Sequence, residues 1–308
     1  MAFEYAIIVK NKTRLEALID RFNTKSQAQF YIERSGGNWE DYELEHMQFH
    51  QSLSAVQKQI SATIKNKIVD RSFLPSFIFN EHQLVIIIGQ DGLVANTAKY
   101  VNGIPMVAIN PDPERYDGVL LPFHAEDFMR GVKAVIKNDY HFKTAMLAEA
   151  RLNDGQRLLA FNDLFIGASS HVSARYKISY GQNSEEQSSS GIIVSTRSGA
   201  SGWLSSVFNM TNGMNAFSGK GKKINVESRF KEDELMFVVR EPFQSKRTQT
   251  GIVTGILKHG AGLNIESYMP SNGIVFSDGI ESDFLNFNSG ASLTIKSAKE
   301  QAKIVLKQ

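Results

Sequence analysis

The hydrophobic rhythm of the chain changes near its middle. In the first half, short apolar runs alternate with helical spacing. "YAIIV" (5–9) predicts a strand; Leu15, Leu18, Ile19 and Phe22 then recur at helical intervals, and Phe49, Leu53, Val56, Ile60 and Ile64 do so over a longer helix. Gly36 and Gly37 end the helical piece that precedes them. "QLVIIIG" (83–89) lacks polar alternation, the pattern of a central parallel strand buried on both faces. The helix "LVANTAKYV" (93–101) and the strand "IPMVAIN" (104–110) follow at once and complete a strand–helix–strand unit.

The second half reads as strands separated by Gly, Asn, Ser and Asp turns. They are "LLAFNDLFIGA", "ARYKISYG", "GIIVST", "KINVES", "ELMFVVREPF", "GIVTGIL", "LNIESYM", "GIVFSDG", "SLTIKSA" and "AKIVLK". Only residues 203–210 look helical among them, and "NSEEQSSS" (183–190) has the composition of a mobile loop. The expected fold is an N-terminal α/β domain with a parallel sheet over 1–145, then a β-rich sandwich over 146–308, with a cleft between them.

Composition narrows the function classes. The 308 residues are 42% hydrophobic and 21% charged, with 7 Pro and no Cys, so disulfide and thiolate chemistry are excluded. A net charge of +2 leaves no basic footprint for nucleic acid. Lys220, Lys222 and Lys223 form one tight basic cluster, read as a solvated loop. The N-terminal apolar run is too short for a signal peptide and no stretch reaches the length of a membrane span. A soluble cytoplasmic protein is expected.

Three segments can carry chemistry. Gly89, Gln90, Asp91 and Gly92 turn the chain from a buried strand into a helix, placing one carboxylate among flexible amides where open α/β sheets bind ligands. Asp-Gly is also a good turn dipeptide, so spacing alone leaves both readings open. "STRSGASGW" (195–203) joins a strand to a helix with small hydroxyl residues and glycines, either a plain connection or the lining of a ligand pocket. Asn162 and Asp163 interrupt an apolar strand and need partners, from nearby backbone or from a ligand.

Other constellations fall short. His46 and His50 have the spacing of a zinc helix, but Met47, Gln48 and Phe49 between them include no Glu base, and no metal is assigned. "GMNAFSGKGK" (213–222) departs from a Walker A loop in spacing and in its last position. Asp112 and Asp117, flanking Pro113, read as turn residues.

Taken in order, the segments resemble the NAD kinase family, within the superfamily that includes diacylglycerol and sphingosine kinases. "GQDGL" is similar to the family's Gly-Gly-Asp-Gly-Thr motif, and "FND" falls where the family has an Asn-Glu pair. "SGIIVSTRSGASGW" tracks Asp-Gly-x-x-Val-Ser-Thr-Pro-Thr-Gly-Ser-Thr-Ala-Tyr, and "VFSDGIESDFLNFNSGASLTIKSA" is similar to the family's late Asp-Gly hairpin. The resemblance implies phosphoryl transfer from ATP to the adenosine ribose 2′-hydroxyl of NAD, with Mg²⁺ held mainly by the phosphates. Asp91 would be the general base, and Gly89, Gln90 and Gly92 would border the donor phosphates. Asn162 and Asp163 would hold the adenosine ribose. Ser198, Ser201 and Gly202 would line the base pockets with Trp203 at the aromatic position, and Ser190 and Thr196 belong to the same binding segment. A homo-oligomer is implied as well.

The departures fall on the acceptor side. Gln90 replaces a glycine and Leu93 the threonine; Asp163 is a methylene shorter than Glu; Ser190 stands for an acid and Arg197 for a proline. "DGVLLPF" (117–123) is only loosely similar to the family's Gly-x-Leu-Gly-Phe. Two rivals therefore remain: a kinase of the same superfamily acting on a sugar or lipid hydroxyl, and a dinucleotide-binding protein without turnover.

Overall fold

Leu84–Ile88 is buried on both faces because it lies inside a parallel sheet covered by helices. The parallel strands at this end of a ten-stranded sheet are β1 (Tyr5–Lys10), β2 (Asn66–Asp70), β3 (Gln83–Ile88) and β4 (Pro105–Ile109), in the order β2-β1-β3-β4. Each neighbouring pair is parallel. The computed structural model describes residues 3–307 apart from 220, 222 and 259. The chain divides into two compact units: residues up to Thr144 with those from Ala302 on, and Ala145–Gln301.

In the first unit, α1 (Arg14–Phe22), α2 (Lys25–Arg34) and α3 (Trp39–Ser61) form the crossover from β1 to β2. Thr13 and Glu16 start α1 with a capping box, each side chain taking the other's backbone amide. α3 lays Phe49, Leu53, Val56 and Ile60 against Ile86, Ile88 and Ile109, and α5 (Phe128–Lys137) adds Phe128, Val132 and Val135. Truncating one such buried Leu or Ile to Ala costs about 2–5 kcal/mol. Ile64 lies beyond the end of α3 yet still packs on this core. α4 (Asp91–Ala98) follows β3 and buries every residue from Leu93 to Ala98.

The second unit is a sandwich of antiparallel sheets. One layer is the antiparallel remainder of the ten-stranded sheet: β5 (Phe142–Leu152), β6 (Arg157–Ala160), β8 (Ala174–Tyr180), β9 (Asn183–Ser189), β13 (Leu263–Ser267) and β16 (Ser292–Val305). The other has the order β12-β11-β10-β7-β14-β15. Its strands are β7 (Asp163–Ala168), β10 (Ile192–Ser195), β11 (Leu235–Val239), β12 (Thr254–Leu257), β14 (Gly273–Ser277) and β15 (Ile280–Asn286). Strand alternation explains why "LMFVV" is wholly buried. Leu235, Phe237 and Val239 face the inner core, whereas Met236 and Val238 pack outward with Leu204 of α6 (Trp203–Phe217).

Several expectations change. "LLAFNDLFIGA" is two strands, because the chain passes from one sheet to the other at Phe161–Asn162. "NSEEQSSS" is no mobile loop: residues 183–189 pair with β8 along their full length. Its polar composition is tolerated because the Tyr176 hydroxyl meets Gln187 Oε1 at 3.0 Å and Ser189 Oγ at 2.6 Å, all buried. "KINVES" forms no strand. The Asn212 side chain takes both backbone groups of Ile224, and Val226–Ser228 is a short 3₁₀ turn. α6 continues seven residues past 210, to Phe217. "SLTIKSA" and "AKIVLK" are one strand, β16, whose end pairs in parallel with β4 at Lys303 and Ile304. Residues 302–307 therefore sit in the first unit rather than with the rest of 146–308. Of the basic cluster, Lys220 and Lys222 lie outside the described residues. No helix among the described residues is long and apolar enough to cross a membrane.

Candidate functional site

The order β2-β1-β3-β4 contains a switch point. The chain leaves β1 toward β2 on one side, and the next strand, β3, lies on the other side. Crevices outside the carboxyl ends of strands at such a point are where open α/β sheets bind ligands. A cavity of about 120 Å³ occupies this place, bordered by Lys12 and Thr13 after β1, Arg71 after β2, and Gly89, Gln90 and Gly92 after β3. Binding sites for whole ligands usually run to roughly 300–1,000 Å³, so this one suits part of a ligand.

Gly92 stands in the first turn of α4, and glycine is a poorer helix former than alanine, by up to about 1 kcal/mol in a helix interior. A Cβ at Gly92 would meet nothing within 4 Å, so packing does not require the glycine. Gln90 gives α4 no side-chain cap. Its side chain instead bonds the Tyr116 phenol, which is pushed above its ordinary value first by burial and then by the charge of Glu45. The Leu93 amide already donates to Gln90 O at 2.9 Å, and the cavity mixes charges: Lys12, itself paired with Asp20, and Arg71 stand with Glu45 and Asp112, so what favours an anion here is the helix start together with Arg71.

Asp91 is pinned. Its carboxylate accepts the backbone amides of Leu120 at 2.7 Å and Val119 at 3.3 Å. The loosely matching "DGVLLPF" segment is therefore what holds the carboxylate. A carboxylate has about four lone-pair sites, so two amides leave it capacity to accept a further proton or hydrogen bond.

In the second unit a different group of predicted residues meets. At the crossing between sheets, the Phe161, Asn162 and Asp163 amides donate to the Asp278 carboxylate at 3.0, 2.6 and 3.3 Å. Asp163 is buried beside it, and desolvation, helped by the charge of Asp278, pushes its carboxyl up to about 7. Thr196 closes the cluster: its amide donates to Asn162 O at 2.8 Å and its hydroxyl to Phe161 O at 2.6 Å. A Cβ on Gly199 would lie 2.3 Å from Asn162 O, so only glycine lets the "STRSG" turn approach the Asn-Asp step. Ser198 is half-buried in this turn, and Ser201 and Gly202 are exposed.

Ser190 and Trp203 border a separate cavity of about 710 Å³ in the second unit. Its wall is aromatic. Trp203 stacks on Phe165 (5.6 Å between centroids, planes 12° apart) and faces Phe276 at 6.5 Å, with the Arg240 guanidinium 5.4 Å over the indole. Gly191, after Ser190, has φ +103°, and a Cβ there would strike Phe165. Glu241 lines the same cavity at φ +45°, an unusual backbone for a non-glycine residue.

Sequence reasoning missed Asp278, Tyr116, Lys12, Arg71, Arg240, Phe165 and Phe276 as members of these sites. Asp278 lies in the Asp-Gly hairpin that the sequence already suggested, now seen with φ +53° and +70°, but the turn signal does not tell which backbone its carboxylate meets. The others are gathered by topology alone.

The sequence matches no family model and no curated protein. Solved structures do resemble it. A yeast NADH kinase complexed with NADH superposes with a TM-score of 0.59 at 13% identity, covering 100% of this chain and 84% of that one. An NAD kinase from Archaeoglobus fulgidus in complex with ATP does so with a TM-score of 0.52 at 14% identity, covering 97% and 92%. The chain has the two-domain fold of the NAD kinases: a parallel α/β unit followed by an antiparallel β unit.

Proposed function

We propose that the protein is an ATP-dependent phosphotransferase of the NAD kinase type, acting on the adenosine ribose 2′-hydroxyl of NAD. The observation that carries this reading is Gly92, a glycine that packing does not need, in an uncapped helix start beside Lys12 and Arg71 at the switch point of the sheet. Bare backbone there has a reason if phosphates approach it. The fold shared with an NADH kinase and an NAD kinase supports the same reading.

In this proposal Asp91 accepts the proton of the ribose hydroxyl as its oxygen bonds the γ-phosphorus and the bond to ADP breaks. Catalysis then rests on positioning and charge stabilisation. Both oxygens of Asp91 already accept amides, and Asp112 at the cavity is paired with Arg115. That donor set fits a Mg²⁺ ion carried mainly by the phosphates. Asn162 and Asp163 hold the ribose, and Thr196, Ser198, Ser201 and Gly202 shape the turn beside them. Trp203 contributes a stacking surface for a planar ring, and Ser190 lines the same cavity. A cytoplasmic homo-oligomer accompanies this reading.

One observation favours a second reading. The Gln90 side chain, bonded to Tyr116, fills space that glycine leaves empty in the family motif. A narrowed turn fits a different hydroxyl acceptor, or binding without turnover. The purified protein, incubated with ATP and Mg²⁺ and with NAD, NADH, a sugar or a lipid alcohol, decides by mass spectrometry. A phosphorylated dinucleotide is expected. Phosphorylation of another acceptor alone moves the assignment to that acceptor. Calorimetric binding of NAD with no product from any pair leaves a dinucleotide-binding protein.

A further inference from the structure

One cluster outside the cavities described above has the composition of a metal centre. His46 and His50 are one turn apart on α3, so both imidazoles leave the same helix face, with ring centroids 4.4 Å apart. Glu16, in the first turn of α1, meets them: its Oε1 lies 3.0 Å from His50 Nε2. One ligand atom from each of the three residues lies within 4.8 Å of the others, and all three residues are half-buried.

We propose that Glu16, His46 and His50 form a binding site for a divalent transition-metal ion, with Zn²⁺ the ion this donor set favours. Two imidazoles and one carboxylate make up a recurring three-ligand zinc set, with the fourth position left to water. Two nitrogen donors select against Mg²⁺ and Ca²⁺, which take oxygen ligands. The carboxylate is already held in place. Glu16 Oε2 accepts the Thr13 amide at 2.8 Å through the capping box, which directs Oε1 toward the imidazoles. Thr13 Oγ1, 2.9 Å from His46 Nδ1, is the kind of outer contact that orients a ligating ring.

The surrounding charges leave room for a cation. Lys10 Nζ is 3.9 Å from Glu16 Oε2, on the oxygen taken by Thr13, and is shared with Asp70 at 3.7 Å. Arg14 is paired with Glu45, and Lys25 with Glu43 at 2.6 Å. A simple tie between α1 and α3 is complete with the pair His50–Glu16; His46 adds a third donor to it. Because Met47, Gln48 and Phe49 supply no base between the histidines, the ion would clamp α1 to α3 rather than hydrolyse a substrate. None of the three residues lines the cavity beside Gly89, so this inference stands apart from the kinase reading.

The test uses the full chain without a histidine tag, titrated with Co²⁺ and then with Zn²⁺. One equivalent of Co²⁺ should bind with the visible absorption of a low-coordinate site, and Zn²⁺ should displace it and raise the melting temperature. His46→Ala and His50→Ala should each weaken binding more than about 100-fold, beyond the roughly 10–100-fold typical of an outer-contact change. His82→Ala, at an exposed histidine outside the cluster, should bind like wild type. Circular dichroism verifies that the variants are folded. Absence of saturable binding in wild type, whatever the variants do, overturns the proposal. So does wild-type affinity in both folded alanine variants.

Discussion

The two cavities are built from opposite materials. The one in the first unit is bordered by Gly89 and Gly92 and by charged side chains of both signs, Lys12 and Arg71 with Glu45 and Asp112, at the carboxyl ends of parallel strands. The one in the second unit is walled by Phe165, Trp203 and Phe276 under a guanidinium, on the outer face of an antiparallel sheet. Bare amides and cations attract anions; stacked rings attract planar groups. Their carboxylates differ in the same way. Asp91 is half-exposed and held by two amides, whereas Asp163 is buried beside a second carboxylate, and burial raises its proton affinity.

The largest expected effect tests the first unit. Asp91→Asn keeps one acceptor oxygen for the Leu120 amide and should remain folded, while phosphoryl transfer falls about 10²–10⁴-fold, the usual worth of general-base help. Turnover within a few-fold of wild type would reduce Asp91 to an anchor for the 117–123 segment and erase the contrast with Asp163.

A pH experiment tests the second unit. The Asp163 carboxyl titrates near 7 when folded and near 3.8 when unfolded, so the folded state holds the proton more tightly between those values. Its contribution to stability is fully present below about pH 4 and is lost as the pH rises through 7. Asp163→Asn, which carries no such proton, should flatten that part of the stability–pH curve. It should also be the more stable protein at pH 8, by a few kcal/mol. Denaturant melts at pH 4, 6 and 8 measure it; an unchanged slope in the Asn variant removes Asp163 as its source.

The smallest effect separates packing from function. Gly92→Ala enters open space in a helix and should raise stability by about 0.5–1 kcal/mol in denaturant unfolding. ATP affinity, measured by calorimetry, should fall at the same time. Gain of stability with ATP affinity intact would mean that no ligand approaches the turn as closely as its bareness allows.

Much of this was legible in the residues themselves. The unbroken "QLVIIIG", the helical spacing of Phe49, Leu53, Val56 and Ile60, and the Gly-rich turn after β3 announce a parallel α/β unit with its chemistry at a strand end. The break at Asn162–Asp163 was visible as polarity, but not as a passage between sheets. "NSEEQSSS" misled because composition describes how a segment meets water, while Gln187 and Ser189 meet Tyr176 instead.

Local sequence determined what local forces determine: strand or helix by period, turns by Gly and Asp, the helix start by Thr13 and Glu16, and the flexible amides around Asp91. Tertiary structure alone decided which distant residues share a surface. It set the Leu120 amide, 29 residues away, on Asp91, and Asp278 under the amides of 161–163. It also brought Glu16 to His46 and His50 across two helices, supplying the third donor that the His spacing lacked. The physical reason is the same in each case. Hydrogen bonds and charges act over a few ångströms of space, and a sequence records separation along the chain, which folding does not preserve.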